Sequence, residues 1–176
     1  MSTKTLASSG GAGEQTYAFY IRAIFTEYLS FVGQAINTVK LIPIHIPYTM
    51  TVDRIVVSVD NGSAGNLRVG IYRDNGGAPD GGALVVESAA VAVGAVNLKQ
   101  EVAIANTSLS LGLYWLAINN DNGGFQANTP GADQVSLGSL FNRSYALAFG
   151  AFTNPCPVTI ANSTVPVMWV RVLSVP

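Results

Sequence analysis

The sequence predicts an all-β protein: an antiparallel β-sandwich of the jelly-roll type carrying a short N-terminal arm. Three observations carry this. Short segments whose apolar residues recur with period two follow one another along most of the chain. Between them stand turn signals, Asp60-Asn61-Gly62, Asp74-Asn75-Gly76-Gly77, Asp80-Gly81-Gly82 and Asp121-Asn122-Gly123-Gly124, and Asn-Gly tolerates the positive φ angles that tight turns demand. Strand-like and helical stretches do not alternate as a parallel βαβ sheet requires. The 176 residues are one domain in size, expected as an arm over 1–13 and a single sandwich over 14–176.

Residues 1–13 are rich in Gly and Ser and lack core-forming side chains, so the arm gains order only from a partner. Thr3, Lys4, Thr5 and Leu6, with Tyr17 and Phe19 just beyond, are the candidate partner-binding residues. Residues 17–32 fit both an alternating pattern (Phe19, Ile21, Ala23, Phe25) and a helical stripe (Tyr17, Ile21, Ile24, Phe25, Tyr28). Their aromatic density favours strand, with a short helix as the alternative. From there the period is two. Val39, Leu41, Pro43 and His45 alternate with Lys40, Ile42, Ile44 and Ile46, a run apolar on both faces whose prolines suit a strand near an edge. Ile55, Val57 and Val59 oppose Arg54, Val56 and Ser58, and Leu67, Val69 and Ile71 oppose Arg68, Gly70 and Tyr72. Segments 84–88, 91–96, 100–104, 113–118, 145–149 and 167–175 complete roughly nine or ten strands. The polar stretch 119–138 reads as a long loop and the prime location for function.

Composition removes several function classes. Charged residues are 11% of the chain, under half the usual share of about 25%, and the formal net charge is -1 with no basic run, which excludes an electrostatic nucleic-acid binder. Apolar stretches are too short and too interrupted to span a bilayer as helices, so no membrane partner is expected. The N-terminus has no apolar signal-peptide core, so a cytoplasmic product without export is expected. A surface so poor in charge is expected to face other protein.

Chemistry-bearing residues are sparse. The single histidine, His45, sits in a strand-like run and no G-x-S-x-G elbow accompanies it, so a Ser-His or Cys-His nucleophile is not supported and the chain is expected not to be an enzyme. The single cysteine, Cys156, lies between Pro155 and Pro157 and reads as a small buried hydrophobe. Asp74, Asn75 and Asp80 place hard oxygen donors in one glycine-rich loop, but their spacing fails the EF-hand pattern and the same residues build ordinary turns. Trp115 and Phe125 join them as a candidate ligand loop. Tyr114 and Trp115 are adjacent on a strand and point to opposite faces, so only one is expected in the core. No catalytic residue, cofactor or metal is expected.

The run Arg68-Val69-Gly70-Ile71-Tyr72-Arg73-Asp74-Asn75-Gly76-Gly77-Ala78-Pro79 has Met50-Thr51-Val52-Asp53-Arg54-Ile55 before it and Leu111-Gly112-Leu113-Tyr114-Trp115-Leu116-Ala117-Ile118 after it. Together, over about residues 40–120, they resemble a β-sandwich domain of tailed-bacteriophage virion proteins, often placed at the ends of tail fibres. The resemblance implies a non-enzymatic virion part. Because the domain follows a short arm and no fibre shaft, the expectation is a capsid decoration (cement) protein or an accessory head or tail subunit. It is expected to form a homotrimer and to dock on other virion proteins such as the major capsid protein. A receptor- or glycan-binding fibre tip is the alternative, and a secreted carbohydrate-binding module stands behind it.

Overall fold

The computed structural model describes residues 19–22, 28–61, 65–93, 98–123, 126–130, 142–161 and 166–175. These residues contain thirteen strands and no helix. In chain order they are β1 (Phe19–Arg22), β2 (Tyr28–Gly33), β3 (Thr38–Ile46), β4 (Met50–Asn61), β5 (Asn66–Arg73), β6 (Leu84–Glu87) and β7 (Val91–Ala92). There follow β8 (Leu98–Leu109), β9 (Gly112–Asn120), β10 (Gln126–Pro130), β11 (Arg143–Ala146), β12 (Ile160–Ala161) and β13 (Met168–Ser174). One sheet runs β1-β13-β4-β10-β2 with β8 also on β4, and the other runs β12-β11-β3-β9-β5-β6 with β7 also on β5. Every pairing is antiparallel. These orders establish an all-β, two-sheet sandwich and go no further toward a jelly roll.

The main core fills the space between the sheets. Ile42, Ile44 and Ile46 of β3, Leu67, Val69 and Ile71 of β5, and Leu116 and Ile118 of β9 face Ile55, Val57 and Val59 of β4 and Met168, Val170 and Val172 of β13. Each set alternates along its strand, so the pleat alone delivers these side chains to one face. Each fully buried Val, Leu or Ile contributes about 1.5 to 3 kcal/mol.

On β4 the inward positions change parity. Met50 and Val52 are in the core, and so are Ile55, Val57 and Val59, which a regular strand could not place on the same side. The ladder slips there: Arg171 of β13 pairs with Arg54 and Val172 with Val52, leaving Asp53 opposite no residue. On the other side the pairing with β8 slips between Val52 and Arg54 as well. Asp53 is thus a β-bulge, and its carboxylate accepts from both Nε and a terminal nitrogen of Arg171. That hydrogen-bonded guanidinium holds the Asp53 carboxyl below the usual carboxylate range. Arg54 and Glu101 complete the ion-pair group.

A second core lies on the outer face of the β3-containing sheet. Val39, Leu41, Tyr72, Trp115, Ala117, Tyr145, Phe152 and Cys156 form it, covered by the irregular chain of residues 147–159. Because of this cover, Tyr114 and Trp115 are both buried, one in each core, which corrects the expectation that only one could be. Gly70 is needed beneath the cover, since a Cβ there would lie 2.9 Å from the Phe152 ring and 3.1 Å from the Val86 carbonyl oxygen. The Tyr72 hydroxyl lies 3.0 Å from that of Tyr145 and donates to the Thr153 carbonyl at 2.7 Å.

The ambiguous stretch 17–32 contains two strands, β1 and β2, and its helical alternative is not seen in the described part. The long polar loop expected over 119–138 is interrupted by strand β10, paired with both β2 and β4. Pro43 sits on an interior strand, yet past the reach of β11, whose pairing with β3 covers Thr38, Val39, Lys40 and Leu41. The arm over 1–13 lies outside the described residues.

Replacing Tyr72 with Phe should leave the Thr153 carbonyl and the Tyr145 hydroxyl short of a partner beneath the cover, lowering stability by about 1 to 3 kcal/mol. Urea unfolding measures it, and an unchanged midpoint would show that these hydroxyls are satisfied by water.

Candidate interaction surface and ligand loop

The glycine-rich loop between β5 and β6 takes its shape from positive φ at Gly76 (73°), Gly77 (92°) and Gly81 (74°), conformations that glycine adopts without a Cβ clash. Its polar side chains turn inward. Asp74 Oδ1 accepts from the Trp115 indole Nε1 at 2.8 Å, and Oδ2 accepts from the Gly77 amide at 2.8 Å. Asn75 Nδ2 donates to the Asp80 carbonyl at 2.9 Å, and Asp80 Oδ1 accepts from the amide and hydroxyl of Thr159. Reciprocal backbone bonds tie Gly81 and Gly82 to Cys156 at 2.8 and 2.9 Å. Gly82 is pressed so close to the Arg73 carbonyl that a Cβ would fall 2.1 Å from its oxygen.

The sequence-predicted ligand residues are therefore brought together as a brace. Asp74 holds the buried Trp115, and Asp80 holds the segment covering the second core. Trp115 is fully buried, so its ring offers no platform to a ligand. Phe125 lies outside the described residues, as do Thr3, Lys4, Thr5, Leu6 and Tyr17. Of Phe19 the backbone is described, opening β1 opposite Val172. Among the described residues no group of three or more His, Cys, Asp or Glu side chains is placed to hold a metal ion. His45 is exposed on β3. Cys156 is buried, and that burial pushes its thiol up to about 12, far from the range of a reactive thiolate. No helix among the described residues is long and apolar enough to cross a membrane.

A different set of residues meets solvent. Leu111 is 64% exposed, Tyr48 47% and Val175 40%. The strand registers place them at one end of the sandwich. Ile46 pairs with Gly112 in one sheet and Met50 with Leu109 in the other, so the corners 47–49 and 110–111 run side by side from sheet to sheet. Ser174 pairs with Thr51, which sets Val175 beside them. Three separate segments thus present large apolar side chains at one pole, where turns are ordinarily polar. The readable signal was the missing polar residue at each tip: Pro47-Tyr48-Thr49 and Ser110-Leu111-Gly112 each place a large apolar residue at the centre of a corner. Val158 and Ile160 are also exposed, at the β12 margin of the second sheet.

No protein-family model matches the chain, and no curated protein matches it.

Removing the Asp74 carboxylate by Asp74→Ala should strip the buried indole of its acceptor and lower stability by about 1 to 3 kcal/mol. Thermal melts of both proteins should be the same with calcium as with a chelator. A calcium-dependent rise in Tm that Asp74→Ala abolishes would make the loop a cation site.

Proposed function

We propose that the chain is a non-enzymatic structural protein of a bacteriophage particle, a capsid decoration (cement) or accessory head or tail subunit that docks on neighbouring virion proteins and stabilises them. The observation that carries this reading is the apolar pole of Tyr48, Leu111 and Val175, exposed on a domain with very few charges. Apolar side chains gathered from several turns form a surface that gains free energy when another protein covers it. The resemblance of residues 40–120 to phage virion sandwiches supplies the class of partner, other virion proteins, with a homotrimer as the working assembly. The inward-turned brace at Asp74 and Asp80 supports an interaction role over a ligand-gripping one.

Docking of this kind acts by mass action, because the subunit binds the assembled particle and not its dispersed parts; at about 100 times the dissociation constant it is worth roughly 2.7 kcal/mol per site. Exposed charges contribute little, so high salt should weaken it little.

The test compares particles with and without the protein, heated at low and high salt. The expected outcome is genome release at a lower temperature without it, at both salts. Leu111→Asp should leave the Tm of the isolated protein unchanged and weaken particle binding roughly tenfold or more, since burying a leucine is worth about 1.5 to 3 kcal/mol. Deleting residues 1–13 should likewise lower binding more than Tm. An unchanged release temperature together with lost adsorption to cells or glycans would favour the fibre-tip alternative.

A further inference from the structure

Among the described residues three pairs set an Asp or Asn directly before a glycine: Asn75-Gly76, Asp80-Gly81 and Asn122-Gly123. In such a pair the amide nitrogen of the second residue can attack the side-chain carbonyl carbon of the first, and glycine leaves the approach unhindered by a Cβ. The reactants are already joined by the chain, so what decides the reaction is whether other bonds hold them apart.

In two of the pairs they are tied. The Gly81 amide donates to the Cys156 carbonyl at 2.8 Å, and the Asp80 carboxylate accepts from the amide and hydroxyl of Thr159. Asn122 is half-buried and packed so closely onto Gly65 that a Cβ there would fall 2.5 Å from its own. Asn75 and Gly76, by contrast, are both exposed in the β5–β6 loop. Gly76 has a φ of 73° and open space where a Cβ would stand. The amides on either side of it are engaged, that of Asn75 with the Ala78 carbonyl and that of Gly77 with Asp74 Oδ2, while the Gly76 amide bonds no described residue. The Asn75 side chain is restrained by its bond from Nδ2 to the Asp80 carbonyl at 2.9 Å. An exposed hydrogen bond of this kind slows a step that must break it by roughly tenfold at most.

We propose that Asn75-Gly76 is a self-modification site, at which the chain deamidates and thereby loosens its own brace. The Gly76 nitrogen, its proton lost to base, bonds to Asn75 Cγ; the Cγ–Nδ2 bond breaks, and Nδ2 leaves as ammonia with a proton regained from water. Water then opens the succinimide ring. Opening at Cγ leaves an aspartate, and opening at the main-chain carbonyl leaves an isoaspartate whose main chain runs through Cβ. One water is consumed, one ammonia is released, and nothing is oxidised or reduced.

Either product undoes the bond that restrained it. A carboxylate offers the Asp80 carbonyl no donor, and it adds a like charge to a loop that already carries Asp74 and Asp80. Isoaspartate also lengthens the main chain between the Asn75 and Gly77 amides, both of which are bonded within the loop. Asp74 and Asp80 hold Trp115 and the segment over the second core, so a change at an exposed asparagine reaches a buried layer. The proposal does not rest on the virion reading.

The full-length protein is incubated at mildly alkaline pH, folded in one arm and unfolded in guanidinium chloride in the other. Each is then digested and mapped by mass spectrometry, with aspartate and isoaspartate peptides separated by chromatography. In the folded protein Asn75 should convert roughly tenfold or more faster than Asn122, whose reaction waits on local opening, and the rate should rise with pH. In the unfolded chain the two sites should convert at similar rates, because the ties that set them apart are gone. The Tm of the wild type should fall by roughly 2 to 4 °C as conversion proceeds. Asn75→Gln, whose longer side chain closes its ring far more slowly, should keep its Tm through the same incubation; should that variant not fold, the wild-type map alone decides. The proposal is overturned if folded Asn75 keeps its amide while the unfolded chain reacts, or if Asn122 converts as fast as Asn75 in the folded protein. An equal fall of Tm in Asn75→Gln would overturn the link to the brace.

Discussion

The buried indole N–H of Trp115 is the constraint around which the rest of this structure arranges itself. Trp115 stands at the centre of β9 with no exposure, and a donor so placed requires an acceptor. Asp74 supplies it, which fixes the start of the β5–β6 loop, and the loop in turn grips Cys156 and Thr159 through Gly81, Gly82 and Asp80. Those anchors hold the irregular chain over Val39, Leu41 and Tyr72. A sheet that would otherwise show one face to water is closed on both sides. The polar loop that looks like a ligand site is a consequence of covering an extra apolar layer.

The same constraint separates what could be read in the sequence from what could not. The alternation in β3 and β5 was legible because Ile42, Ile44, Ile46, Leu67, Val69 and Ile71 are aliphatic and regular in parity, and all six enter the main core. Tyr114 and Trp115 were misjudged because the pattern was read against a sheet with one wet face. Nothing local in residues 147–159 announces that they fold back as a lid, since their anchors are long-range bonds such as Thr159 to Asp80. Strands β10 and β12 escaped notice for a related reason. Gln126–Pro130 is polar and Ile160–Ala161 is two residues long, so each is a strand by virtue of the neighbour it pairs with.

The charges show a similar economy. Every described acidic side chain is engaged in holding a turn, a bulge or a neighbouring strand, which leaves turn tips such as Tyr48 and Leu111 to define how the molecule meets its surroundings. Reading function from such a surface differs from reading an active site. The informative residues are apolar ones where polar ones are expected, and their proximity follows from the registers of Ile46 with Gly112 and Met50 with Leu109.

The bulge at Asp53 bears on how this chain can vary in length during evolution. Losing that one residue would join Val52 directly to Arg54 and close the gap opposite Arg171 and Val172 of β13, while residues 104–106 of β8 would still lack a match, and it would also exchange the inward and outward sets of one half of β4. Either Met50 and Val52 or Ile55, Val57 and Val59 would turn outward, while Arg54 or its neighbours turned in. An extra residue beside Asp53 would do the same. Descendants of this sequence should therefore gain and lose residues at the corners between strands, and keep the spacing between Val52 and Ile55 fixed even where the identities of both have drifted.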